Sequence, residues 1–320
     1  MTSRDVAREQ ATDDLRRLLC DLGSTVQHHV LASCERPALD QAVGESQADV
    51  VYGLDRIAET AALDWFERHW PSDQPVDVVM EGLDSSLRVG RGTPRWTCIL
   101  DPVDGTRCLM TQKRSAWVLA ALAPHGGGLA DIAVCAMTEL PPTRQWRADQ
   151  VSAVRGRGLV CRSTDLRAGV EQPLTLQPSR ATDVRHGFAS LAKFFPEGKA
   201  RIAALEERLW TELYGTTRVP LVFDDQYVST GGQVFELLSG RDRMVGDIRP
   251  YVLDRSLACH PYDVCTGMLI AEAGGVFEAP AGGPVNGPLD TTSAIAWIGY
   301  ANPMLADLVR PILKRLLREV

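Results

Sequence analysis

The chain has 320 residues, 45% hydrophobic and 23% charged, long enough for one large or two medium domains around a buried core. Thirty-four Lys and Arg against 41 Asp and Glu leave a net charge of −7 at pH 7. That balance excludes a general binder of nucleic-acid polymers or membrane surfaces, which needs a positive field. No stretch approaches the roughly 20 apolar residues of a membrane span, and MTSRDVAREQATDDLRR is too charged for a signal-peptide core. The eight cysteines (20, 34, 98, 108, 135, 161, 259 and 265) form no C-x-x-C pair. Buried, reduced thiols in a cytoplasmic protein are therefore expected, with neither disulfides nor zinc.

In chain order, helical periodicity runs over 4–32 and 55–70, where Ile57, Ala61, Leu63, Trp65 and Phe66 make an apolar face. Asp55 is placed to be the N-cap of the second helix. Short strand-like runs follow at 76–80, 96–100, 116–123 and 131–137, with Pro124-His125-Gly126-Gly127-Gly128 as a hairpin-like turn. Residues 138–200, rich in Pro, Arg, Thr and Gln, show no clear period, and a composition shift at 178–183 marks a domain boundary. Helices are predicted over 198–212, 232–239 and 263–273, the last closed by Gly274-Gly275. Strands at 276–278 and 292–300 and an amphipathic helix at 303–318 complete a mixed α/β chain.

The chemistry concentrates in WTCILDPVDGTRCLM, residues 96–110. An apolar strand delivers Asp101 and Asp104 into a predicted tight turn bent by Pro102 and Gly105. Carboxylates do not converge for packing reasons, because repulsion and desolvation oppose it unless cations neutralise them. A hard-oxygen cluster favours Mg²⁺ or Mn²⁺. The string is one residue too long for the D-x-D-G-T of haloacid-dehalogenase phosphatases. Two further acidic segments accompany it: VDVVMEG ends in Glu81, and PYDVCTG opens a helix with Asp263 in its first turn. Each alone is ordinary strand-end or helix-cap chemistry; together they put carboxylates at three positions that a fold can bring to one cleft.

Met80-Glu81, LDPVDGT at 100–106 and YDVCTGMLIAEAGG at 262–275 resemble, in order and spacing, the three signatures of the inositol monophosphatase family. The resemblance covers roughly residues 45–310. It implies a layered α-β-α-β-α sandwich of the sugar phosphatase type, α/β (α+β) in class. Its two subdomains, 1–182 and 183–320, would hold the site between them. It implies a Mg²⁺-dependent phosphomonoesterase with two or three ions, Mn²⁺ being a possible substitute. By the same analogy Glu81, Asp101, the Val103 carbonyl, Asp104 and Asp263 hold metal, and Gly105 and Thr106 bind phosphate. Thr106 with Asp55, together with Glu81, makes up the catalytic set, and water attacks directly. A small phosphorylated polyol, sugar or nucleoside is the implied substrate, and a homodimer the implied assembly. A fructose-1,6-bisphosphatase-like enzyme, a nucleotide 3′-phosphate phosphatase and an inactive phosphate-ligand-binding relative are the alternatives.

The chain also departs from the family pattern. Gly82 stands where many members have a second Glu, and Arg107-Cys108 follow the Thr where an Asn is common. Arg107, Cys108, Ser229, Thr230 and Gly231 are candidate substrate-lining residues. Arg107, Lys113, Arg114, Arg243 and Arg249 are candidates for a second substrate anion, although surface solvation is the ordinary expectation for each.

Overall fold

A computed structural model describes residues 3–33, 42–45, 50–215, 222–253 and 258–319. The chain opens with helix α1 (Ser3–Ser33), a strand pair β1 (Ala42–Glu45) and β2 (Val50–Tyr52), and helix α2 (Gly53–His69). There follow β3 (Val76–Met80), β4 (Leu87–Val89), β5 (Trp96–Asp104), the short helix α3 (Thr106–Met110) and β6 (Ala116–Pro124). Then come β7 (Val134–Leu140), β8 (Arg147–Val154), β9 (Leu159–Asp165) and β10 (Val170–Pro173). Strands β3 to β10 form one eight-stranded sheet, order β10-β9-β8-β7-β6-β5-β3-β4, antiparallel except where β3 runs parallel to β5.

The rest of the chain supplies β11 (Gly187–Leu191), α4 (Lys199–Tyr214), β12 (Val222–Phe223), α5 (Thr230–Leu238), β13 (Asp242–Asp247) and α6 (Arg249–Val252). It ends with α7 (Pro261–Val264), α8 (Met268–Glu272), β14 (Val276–Glu278), β15 (Trp297–Tyr300) and α9 (Pro303–Leu316). Its strands make a five-stranded mixed sheet, order β12-β11-β13-β15-β14.

Alternation along β6 explains the layering. Val118, Ala120 and Leu122 join Leu15, Leu19, Leu22 of α1 and Ala58, Trp65, Phe66 of α2 in one core. Trp117, Leu119 and Ala121 point the other way, into a core shared with Val234 and Phe235 of α5 and Leu269 and Ile270 of α8. A strand apolar at every position is thus buried on both faces. α4 and α9 pack against β11 and β15. The result is the expected order: α1 and α2, the large sheet, α5 with α7 and α8, the small sheet, then α4 and α9.

Several local expectations are corrected. β5 runs through Asp104 instead of turning at Asp101. Asp55 is not the N-cap of α2; it is the third helical residue, its Oδ2 accepting the Tyr52 N–H at 2.8 Å. The helix expected over 263–273 is two short helices, and the 292–300 strand shrinks to Trp297–Tyr300 because Asp290 caps the Thr292 and Ser293 N–H groups. The unread stretch 138–200 contains four strands, β8 to β11. The described cysteines are all free, and Cys34 lies outside the described residues. Among the described residues no helix is long and apolar enough to cross a membrane.

Buried Asp242, at the start of β13, has its carboxyl pushed up to about 7, by burial first and then by the charges of Glu236 and Asp225. A raised acid pKa in the fold means that the unfolded chain releases its proton first. Stability therefore falls as pH climbs from about 4 to about 7. Asp242→Asn removes that loss. It is expected to raise Tm by several degrees at pH 8 (on the order of 2–4 kcal/mol) and to change nothing near pH 4, as thermal melts across pH will read.

Candidate active site

β5 builds the centre. Its pairing with β6 runs from Trp96 to Asp101 opposite Leu119, then slips, so that Asp104 lies opposite Trp117. Three steps on β5 match two on β6, a bulge of one residue. On a regular strand side chains three apart face opposite sides; the extra residue returns Asp104 to the side of Asp101. The Asp101 Oδ1 accepts the Val103 N–H at 2.9 Å inside the bulge. Gly105 then takes φ +92°, and a Cβ there would stand 2.7 Å from the Cβ of Ser229. Glycine is needed for both handedness and space.

Each remaining acid is delivered by an element end. Glu81 follows β3, and its N–H donates to the Leu100 carbonyl at 3.2 Å, setting it beside the start of the bulge. Asp263 sits in the first turn of α7 behind Pro261, its Oδ2 accepting the His260 N–H at 2.6 Å. Asp104 is fastened to the start of α5. Its Oδ2 accepts the Ser229 hydroxyl at 2.7 Å and the Gly231 N–H at 2.5 Å, and its Oδ1 accepts the Thr230 N–H at 3.1 Å. A carboxylate meets orphan donors at the positive end of the helix there.

Asp101, Asp104 and Asp263 each bring a carboxylate oxygen within 4.8 Å of the others. Burial, then the charges of Glu81, Asp104 and Asp263, lifts the Asp101 carboxyl well above the usual range. Burial, then Asp104 and Glu81, does the same to Asp263. Asp104 is pushed up to about 6 by burial, against the pull of its three donors. Two buried carboxylates and a half-buried third, all hard oxygen donors held close together, fit a small divalent cation.

The cluster opens on a cavity of about 130 Å³. Asp55, Glu81, Asp101, Val103, Asp104, Gly105, Thr106, Arg107, Ser229, Thr230 and Asp263 all line it. The Thr106 hydroxyl donates to Asp55 Oδ1 at 2.8 Å, with the Val103 carbonyl 3.0 Å away. Cys108 and Gly231 do not line it. The Cys108 thiol turns to the Val228 carbonyl, and Gly231 stands behind Asp104 as a donor. Where a side chain at Gly82 would point, a Cβ would meet Glu59 Oε1 at 2.2 Å, so a carboxylate from α2 already fills that space. Asp55 and Glu59, four apart on one helix, were the legible signal for it.

One arginine expected at the surface is not there. Arg249 is 4% exposed, paired with Asp247 and on the cavity wall. Arg114 makes a two-pronged pair with Asp225 at 2.8 Å. Arg243 bonds the Asp183 and Arg185 carbonyls. Sequence reasoning missed Tyr52, Phe194, Phe195, Cys259, His260 and Tyr262 on the cavity. The two phenylalanines fall in the stretch without a readable period.

A cavity with carboxylates on its wall, where a bulged strand meets two helix starts, belongs to the class of sites that can hold a divalent cation, here within a layered fold of two sheets and three helix layers. The sequence matches the inositol monophosphatase family over residues 12–312, and the chain belongs to that family. No curated protein matches the sequence. Among solved structures, the extragenic suppressor protein SuhB from Bartonella henselae is 15% identical, with TM-score 0.67, covering 96% of this chain and 99% of its own. An inositol monophosphatase from Anabaena is also 15% identical, with TM-score 0.62 and 96% of each chain covered. The Leishmania major fructose-1,6-bisphosphatase is 12% identical, with TM-score 0.66, covering 92% of this chain and 93% of its own. These likenesses establish the fold.

Added Mg²⁺ should raise Tm by several degrees at pH 7.5, since a ligand of the native state stabilises in proportion to RT ln(1 + [L]/Kd). The gain should fade below about pH 6, where protons compete for Asp104. Asp263→Asn should abolish most of it; calorimetric melts with and without Mg²⁺ will check both.

Proposed function

We propose that the chain is a Mg²⁺-dependent phosphomonoesterase acting on a small phosphorylated alcohol by direct attack of water. The supporting observation is the convergence of three carboxylates, two of them buried, beside a threonine hydroxyl that is itself hydrogen-bonded to Asp55. Glu81, Asp101, the Val103 carbonyl, Asp104 and Asp263 would hold the ions. Bound there, Mg²⁺ (or Mn²⁺) supplies charge neutralisation for the phosphate and leaving oxygen and acidifies a water.

The protein's own residues do the rest. Asp55 is fixed by the Tyr52 N–H on one oxygen and accepts the Thr106 proton on the other. That leaves the lone pairs of Thr106 Oγ1 to accept from the attacking water, orienting its own lone pair toward phosphorus. The Gly105 and Thr106 N–H groups, at the opening of α3, meet the phosphate oxygens. The division at 182/183, which falls between the strands of the two sheets, is also our reading, as are a homodimer and a cytoplasmic location.

Phosphate release from small monoesters should require Mg²⁺ and vanish with a chelator. Asp104→Asn should lower kcat by at least about 10³-fold, comparable to removal of a principal electrostatic stabiliser. Thr106→Ala should cost roughly 10²–10⁴-fold, with circular dichroism unchanged in both. Near-normal turnover in either variant overturns the assignment.

A further inference from the structure

Away from the carboxylates, the cavity wall changes character. Phe194 and Phe195 line it, half-buried, with ring centroids 4.9 Å apart in an edge-to-face pair. The guanidinium carbon of Arg249 lies 4.8 Å from one ring and 5.1 Å from the other. The charge of Arg249 is answered from behind: its Nε donates to both Asp247 oxygens at 2.9 Å, and its Nη2 donates to Oδ2.

The neighbouring polar groups are bonded to one another as well. The Cys259 thiol donates to Asp247 Oδ2 at 3.2 Å, and the Thr230 hydroxyl lies 3.3 Å from that sulfur. The Ser229 hydroxyl donates to Asp104. Among the described residues on this side, Ser229, Thr230, Arg249 and Cys259 are thus already engaged, and Phe194 and Phe195 line the cavity beside them. Their segment is anchored: Lys193 Nζ reaches Glu206 at 2.7 Å and Asp224 at 2.8 Å, and the Lys193 N–H donates to Gln226 at 2.7 Å. A fixed aromatic pair stacks with a third ring at little ordering cost. Polyol hydroxyls set against it lose their water without a partner.

We propose that the Phe194–Phe195–Arg249 wall determines specificity, and that the alcohol half of the substrate carries a planar, uncharged unsaturated ring in preference to a polyol or a second phosphate. This rests on the phosphomonoesterase reading above. Benzyl phosphate is the suitable probe, because its leaving group is an aliphatic alcohol as in polyol esters, so that reactivity does not mimic recognition. Its kcat/KM with Mg²⁺ is expected to exceed those of glycerol 2-phosphate, myo-inositol 1-phosphate and fructose 1,6-bisphosphate at least tenfold. Phe194→Leu, which keeps apolar volume, and Phe195→Ala should lower kcat/KM for benzyl phosphate at least tenfold more than for glycerol 2-phosphate. A polyol ester or bisphosphate turned over as well as benzyl phosphate, or a parallel loss on both esters in the variants, overturns the proposal. If no ester releases phosphate, the phosphomonoesterase reading fails instead, and the wall is decided by saturation-transfer NMR on the uncharged alcohols without metal. Transfer to benzyl alcohol, absent for glycerol and lost in Phe194→Leu, supports it; no transfer to benzyl alcohol overturns it.

Discussion

The crowding of carboxylates into a largely buried cluster is the constraint around which this molecule is arranged. Asp101 and Asp104 lie three apart on β5 while Asp263 comes from a distant part of the chain; burial raises all three pKa values, and neighbouring carboxylate charges add to the rise at Asp101 and Asp263. Left alone, such a cluster would protonate or drive its elements apart. The fold holds it with two buried cores that meet on opposite faces of β5 and β6, so that hydrophobic burial supplies the force that keeps the acids together. What burial cannot supply is countercharge, and the oxygen-only donor set indicates the kind of ion that does.

The surroundings moderate the repulsion without cancelling it. Each aspartate accepts at least one backbone N–H: Val103 for Asp101, Thr230 and Gly231 for Asp104, His260 for Asp263. Such bonds favour the charged form and orient the carboxylates. They come from one bulge and two helix starts, all places where backbone donors lack a partner within their own element.

Much of this was legible in the residues, and the failures have identifiable physics. Long periodic helices such as α1, α2 and α9 were read to within a few residues, because an apolar stripe leaves an unambiguous period. The acidic segments were legible through their chemistry, with Gly105 and Pro261 punctuating the chain where a strand or loop gives way to a helix. The turn expected at Asp101 was wrong for an instructive reason. A strict two-residue alternation sends Asp104 to the far face, and no local signal announces a bulge inside a strand. Strands β9 and β10 escaped notice because they form an exposed hairpin whose side chains, such as Arg162, Glu171 and Gln172, are polar on both faces. Arg249 was misread because sequence does not show that Asp247, two residues earlier, follows it into the interior. Phe194 and Phe195, lying beyond the end of β11, carried no period at all.

The attachment of Asp104 to the first turn of α5 makes two regions of the protein a single moving part. That helix also presents Ser229 and Thr230 to the cavity, while Phe235 from its next turn rests on Trp117 of the neighbouring sheet at 4.8 Å. Whatever displaces the helix, whether an arriving guest or altered packing around Phe235, must swing a carboxylate of the ionic centre with it. The position of that helix and the orientation of Asp104 are therefore set together, and residues on the helix far from the carboxylates inherit leverage over them.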